Sequence, residues 1–330
     1  MNTLRWVLST QLKIWKQHKN NSGFTLIELL VAMILAVLVI TPLLGFMLNI
    51  LDSDRQEQAK VNSEQEIQAA ADFITRDLQQ AFYIYDATGV DAIKSQLPSV
   101  TDGEPVLVFW KREFAPEAAI TKTKDSGGKE INFKDDAFVY SLVAYYLIKD
   151  NNDNWSKAAR IARFQIKDGY LNSNGNTCTK TYDTTSKFSL CPDVGFQPLD
   201  LSQNGKTIQE KMNGWTKLKD QDYTQKPIVL VDFIDQTTTT QKAPDATCPS
   251  GFAVVPSSLT SSTSTKRTGF YACVQSVSSS NKSIAEIYLR GNALARLNND
   301  ENKIIYNSSK LTYFPYAKVR IEGRSFIFTK

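Results

Sequence analysis

The sequence predicts an α+β protein: a long amino-terminal helix packed on an antiparallel β-sheet, with two long disulfide-bearing insertions. Three observations predict it. Residues 24–51 form an apolar run of 28 residues with one ionisable side chain, Glu28. Residues 52–86 carry Ile67, Ala71, Ile74, Leu78 and Phe82 at spacings of three or four, the stripe of an amphipathic helix. From residue 105 onward, runs rich in β-branched and aromatic residues alternate with polar turns, as strands do.

Composition bounds the rest. With 330 residues, 42% hydrophobic and 22% charged, the chain folds and has room for one or two domains. The net charge of +4 comes from Arg5, Lys13, Lys16 and Lys19, leaving 34 basic against 34 acidic residues after residue 23. A neutral body argues against nucleic acid as a partner, because such binding rests on Lys and Arg neutralising phosphates. The single histidine, His18, lies in the same leader. Nothing after residue 23 therefore offers imidazole for a nucleophilic triad or a metal. No phosphate-binding glycine loop, activated serine turn or paired-carboxylate motif stands out, so no catalytic residue, cofactor or metal ligand is assigned and the chain reads as a non-enzyme.

Leu29 to Leu48 gives 20 residues without a charge, and at 1.5 Å per residue these span roughly 30 Å, a bilayer's hydrocarbon thickness. Residues 24–51 are thus expected to form a transmembrane helix, with a kink or local unwinding near Pro42 and Gly45. The basic stretch KIWKQHKNNSG before it is expected to stay cytoplasmic, sending the carboxy-terminal bulk outward as a single-pass inner-membrane protein. No small-residue secretory cleavage site ends the run. Glu28 is the anomaly, since an intramembrane carboxylate is costly and usually has a partner. The next basic residue is Arg55, too far along a continuous helix to reach it.

The stretch Lys19-Asn20-Asn21-Ser22-Gly23-Phe24-Thr25-Leu26-Ile27-Glu28-Leu29-Leu30-Val31-Ala32 resembles the class III signal of type IV prepilins and type II secretion pseudopilins. The resemblance implies removal of residues 1–23 by a prepilin peptidase cutting between Gly23 and Phe24, and N-methylation of Phe24 by the same enzyme. It further implies that Glu28 pairs with the free amine of a neighbouring subunit during assembly. Two charges buried together in low dielectric select register more than they add net stability. Without the flanking motif, Glu28 would read as a carboxylate snorkelling to the headgroups.

Beyond the membrane, residues 52–86 are expected to continue the helix, ending near Asp86-Ala87-Thr88-Gly89, and residues 87–330 to form an extracytoplasmic β-rich domain. Strands are expected at 105–111, 137–149, 159–167, 227–234, 283–290 and 317–328, with 137–149 and 159–167 joined as a hairpin. Residues 169–226 and 236–283, rich in Asn, Thr, Ser and Gly, are expected as surface insertions. Each holds two cysteines. Cys178, Cys191, Cys248 and Cys273 are even in number, show no C-x-x-C spacing and lie on the outer side, which points to disulfides. Of three connectivities, Cys178 with Cys191 and Cys248 with Cys273 is preferred because each pair closes one insertion; a four-thiolate metal site is the weaker alternative.

Other candidates read more simply as structure. Asp150, Asn152, Asp153 and Asn154 offer oxygens, but a calcium loop would need Gly where Trp155 stands and Glu where Ile161 stands, so a hairpin turn is expected. Lys310, Lys318, Arg320, Arg324 and Lys330 cluster near the end, with Lys318 and Arg320 expected on a solvated strand face. Asp135 and Asp136 are placed in a loop, and Trp155 and Tyr170 at the core or its rim.

The size of the body resembles the large minor pseudopilins of the J type or W type. EQEIQAAADFITRDLQQAFYIYD, IYLRGNALARL and VRIEGRSFIF resemble the cyanobacterial hormogonium polysaccharide secretion pseudopilins of the C type. The resemblance implies a non-enzymatic filament subunit supporting polysaccharide secretion and gliding motility. The implied partners are other pilins, an inner-membrane assembly platform with its ATPase, and exported polysaccharide. The alternatives are a minor pilin for twitching or DNA uptake, and a membrane-anchored binding module that never assembles.

Overall fold

The computed structural model describes residues 23–124, 126–169, 192–261, 265–275 and 283–323. The chain divides into two compact units, residues 1–55 and 56–330.

The described part of the first unit is helical from Leu26, the start of α1 (Leu26–Leu78). Its residues are exposed throughout, including every large apolar side chain from Leu26 to Leu51. Pro42 lies inside the helix, and the Thr41 hydroxyl donates to the Val37 carbonyl at 2.7 Å.

In the second unit α1 buries Ile67, Ala71, Ile74 and Leu78, the stripe the spacing predicts. The helix stops at Leu78, however, and does not reach residue 86. Ala81–Ile84 form strand β1 and Asp86 starts a new helix, α2 (Ala87–Ile93). The reason is burial on both faces. Tyr83, Ile84 and Tyr85 are all fully buried, which a one-sided helical stripe does not provide. The Asp86-Ala87-Thr88-Gly89 turn is a beginning: the Asp86 carboxylate accepts from Gly89 N at 2.9 Å and from the Thr88 hydroxyl at 2.8 Å, capping α2.

Two antiparallel sheets follow instead of one. The first runs β1-β2-β3-β4-β5, with β2 (Gly103–Lys124), β3 (Glu130–Ile148), β4 (Ala159–Lys167) and β5 (Ile228–Ile234). The hairpin of β3 and β4 pairs Tyr145 with Arg163 and Ala144 with Phe164. β2 and the start of β3 extend well past the apolar runs, so Asp135 and Asp136 stand in a strand and not in a loop; Asp136 accepts from Glu117 N at 3.0 Å.

One face of this sheet carries Lys111, Tyr145 and Arg163 toward α1. The other is covered by residues 192–226, the described part of the expected first insertion. Phe196 and Trp215 meet Trp110 edge-on at 5.9 and 5.5 Å, and Tyr223 meets Phe164 at 5.2 Å. Trp110 Nε1 donates to the Tyr85 hydroxyl at 3.0 Å, which donates to the Met212 carbonyl at 2.9 Å. Met212 belongs to the short helix α3 (Ile208–Asn213), opened by a Thr207–Glu210 capping box. Phe196, Met212 and Trp215 of this segment are buried against the sheet, while most of its other described residues are exposed or half-buried, so it packs on the core through a few side chains.

The second sheet runs β6-β7-β8-β9, with β6 (Ala253–Val255), β7 (Phe270–Val274), β8 (Ile284–Arg290) and β9 (Tyr316–Glu322). The expected second insertion, 236–283, thus supplies two of its four strands. All five residues of β7 are buried, so it shows none of the alternation that marks a half-exposed strand. Residues beyond 323, expected in the last strand, lie outside the described residues.

Candidate functional site

The amino-terminal site is built on the first turn of α1. Gly23 and Phe24 precede the helix, and Phe24 is 86% exposed. Thr25 and Glu28 form a reciprocal cap. Glu28 N donates to the Thr25 hydroxyl oxygen at 3.3 Å, while the Glu28 carboxylate accepts from Thr25 N at 3.2 Å and from the Thr25 hydroxyl at 3.0 Å. The T-x-x-E spacing suits this: two otherwise orphaned N–H groups are satisfied, and a negative charge sits at the positive end of the helix dipole. The carboxylate that sequence reasoning left without an intrachain partner therefore finds neutral donors three residues away. No cation pairs with it among the described residues.

Behind the cap the helix is long and apolar enough to cross a membrane, and its apolar stretch is exposed throughout. These exposed side chains include Leu29, Ile34, Leu38, Leu44 and Phe46, each more than half exposed. A surface of this kind is stable in lipid or against other apolar helices, and not in water.

A family model described as the prokaryotic N-terminal methylation motif matches residues 18–44. The match spans the basic leader's end, Gly23, Phe24, the capped Glu28 and most of the apolar helix. It supports a subunit of the type IV pilin class, one processed by a prepilin peptidase and assembled with other pilins in a membrane machinery. No curated protein and no solved structure matches the chain.

The second unit holds a buried charge cluster that sequence reading missed. The Asp77 carboxylate accepts from three donors on the face of the first sheet. Arg163 Nε reaches Oδ2 at 2.7 Å, Lys111 Nζ reaches Oδ1 at 2.9 Å, and the Tyr145 hydroxyl reaches Oδ2 at 2.7 Å. Burial alone would raise the Asp77 carboxyl, but Arg163, then Lys111, outweigh it and hold it below the ordinary carboxylate range. Glu113 lies beside it, its carboxylate meeting Lys167 Nζ at 3.1 Å and Lys111 Nζ at 3.8 Å. Burial opposes its ionisation too, and the Lys111 and Lys167 charges again prevail and lower it. The signals for this cluster were a lysine in the apolar run PVLVFWK and an aspartate beside the helix stripe.

Cys248 and Cys273 are bonded, with their Cα atoms 5.6 Å apart, as the local pairing predicts. Cys178 and Cys191 lie outside the described residues. The Asp150 turn is tied by Arg160, whose two terminal nitrogens reach the Asp150 oxygens at 2.7 Å each, and Trp155 lies 5.6 Å from the same guanidinium. Lys318 and Arg320 are not simply solvated: both converge on the buried Glu286, at 3.0 and 3.2 Å. Tyr170, Arg324 and Lys330 lie outside the described residues, and Lys310 is exposed. Among the described residues no group of three His, Cys, Asp or Glu is placed to hold a metal.

Proposed function

We propose that this chain is a minor pseudopilin: cut after Gly23, N-methylated at Phe24, held in the inner membrane by residues 24–51 with its larger unit outside, and assembled into a type IV pilus-like filament. The observation that carries the reading is the methylation motif at 18–44 set on an exposed helix start with Glu28 at its third position. In the filament Glu28 exchanges its neutral Thr25 donors for a neighbour's amine. In this reading the subunit sits at or near a filament tip, which the bulk of residues 56–330 supports because a domain of that size obstructs regular packing; uniform labelling along filaments overturns that placement.

The narrower reading is a role in polysaccharide secretion and gliding. It rests on the resemblance of residues 64–86, 287–297 and 319–328 to the hormogonium polysaccharide pseudopilins. Deletion of the gene separates it from a minor pilin of twitching or DNA uptake: loss of exported polysaccharide with DNA uptake intact supports it, and the reverse overturns it. Mass spectrometry of protein purified from native membranes, with and without prepilin peptidase, tests the class itself. The expected chain begins at N-methylated Phe24. A chain beginning at Met1, or cut elsewhere, overturns the pilin reading in favour of an anchored module.

A further inference from the structure

Two cavities of about 300 and 280 Å³ in the second unit share Lys149, Thr265 and Arg267 in their walls and so form one continuous groove. Its lining is polar. Among the described residues the first cavity has Ile305 as its one aliphatic wall and the second has Leu147, the others being hydroxyl, amide, charged and glycine residues.

The charges are unequally satisfied. Lys149 meets Glu301 at 2.8 Å, and Lys94 stands 4.0 Å from Glu104. The half-buried Arg267 guanidinium and the exposed Asp102 carboxylate have no partner among the described residues. Gln241 is held by its carbonyl, which accepts from Thr238 N and the Thr238 hydroxyl at 3.1 Å each, leaving its two amide hydrogens unused. A fork of guanidinium donors without a carboxylate, in a trench that also offers amide donors and a free carboxylate acceptor, is suited to a ligand with both a carboxylate and vicinal hydroxyls.

We infer that this groove binds an acidic oligosaccharide, Arg267 taking a uronate carboxylate in a bidentate pair and Asp102 accepting from sugar hydroxyls. An acidic peptide shares the carboxylate but would need apolar pockets for its other side chains, and among the described residues the groove offers a single aliphatic side chain in each half. The inference deepens the polysaccharide part of the reading above and rests on it for its place in the cell. Its test does not depend on filaments.

The experiment is calorimetric titration of the full chain in nanodiscs with trigalacturonate, its methyl ester and tetraglutamate. Saturable binding of trigalacturonate is expected, at least tenfold weaker for the ester, for tetraglutamate and for Arg267→Gln. Asp102→Asn is expected to weaken it severalfold. Arg267→Lys, which keeps the charge but not the fork, serves if the glutamine variant fails to fold, and it too is expected to bind more weakly. Absence of saturable binding, equal binding of tetraglutamate, or affinity unchanged in the Arg267 variant overturns the inference while leaving the pilin reading untouched.

Discussion

Arg163 on β4 donates through Nε to Asp77 in the last turn of α1 at 2.7 Å, across 86 residues of sequence. The same carboxylate holds Lys111 of β2 and the Tyr145 hydroxyl of β3. One aspartate thereby ties the end of the helix to three adjacent strands of the first sheet.

Replacing Asp77 with Ala leaves Arg163 without a carboxylate and Lys111 with Glu113 alone at 3.8 Å. Breaking a buried pair in this way costs about 3–5 kcal/mol. Urea unfolding of the variant should show that loss, and Asp77→Asn most of it.

Acid should reveal the same cluster. The Asp77 and Glu113 carboxyls are both lowered in the folded state, so their contribution is complete above the ordinary carboxylate range and is lost as pH falls through the folded values. Stability measured from pH 7 downward should therefore decline below about pH 4. In Asp77→Asn that limb flattens; an unchanged acid limb would show that other groups carry it.

Glu28→Ala and Glu28→Gln should leave cleavage after Gly23 intact and lower the filament-incorporated fraction at least tenfold, read by immunoblot of sheared filaments against cells. Thr25→Ala separates the two roles of the carboxylate. It removes the cap, worth about 1 kcal/mol, but not the charge, and should assemble better than either Glu28 variant.

Cys248→Ser should lower unfolding stability by about 3–4 kcal/mol on chain-entropy grounds, the bond closing a separation of 25 residues. A reductant should reproduce the loss in the unsubstituted chain and add little to the variant, apart from any effect at Cys178 and Cys191.

Among the described glycines, Gly269 leaves the least room for a side chain. A Cβ there would lie 2.0 Å from the Asp235 carbonyl oxygen. Asp235 is itself fully buried and paired to Arg290 Nε at 2.7 Å. Gly269→Ala should cost about 3 kcal/mol or more, visible as a lowered Tm and poor recovery.

What was legible in the sequence was what is local in it. The 18–44 motif is one contiguous stretch, the α1 stripe from Ile67 to Leu78 recurs every three or four residues, and the β3–β4 hairpin joins neighbouring β-rich runs, so each fits within a short window. The end of α1 was not legible, because Phe82 continues a spacing of four by coincidence while Tyr83 to Tyr85 are buried on every side. β6 and β7 were missed because they are short, lie among Ser and Thr, and in β7 are buried on both faces. The Asp77 cluster and the Arg267 groove draw their residues from segments far apart in the chain, so no spacing announces them.

Gly291 packs so closely on the helix that a Cβ would lie 2.8 Å from Ile67 Cγ1, and Arg296 hydrogen-bonds Ser63 at 2.8 Å and pairs with Glu66. The ribosome therefore delivers the helix first and its covering more than two hundred residues later. Until then Ile67 has no permanent neighbour on that side, and closure must await contacts of very long sequence separation, which form slowly and expose apolar surface meanwhile. An element made early is thus covered late, and its apolar stripe must wait for residues near 291–296 before it is closed on that side.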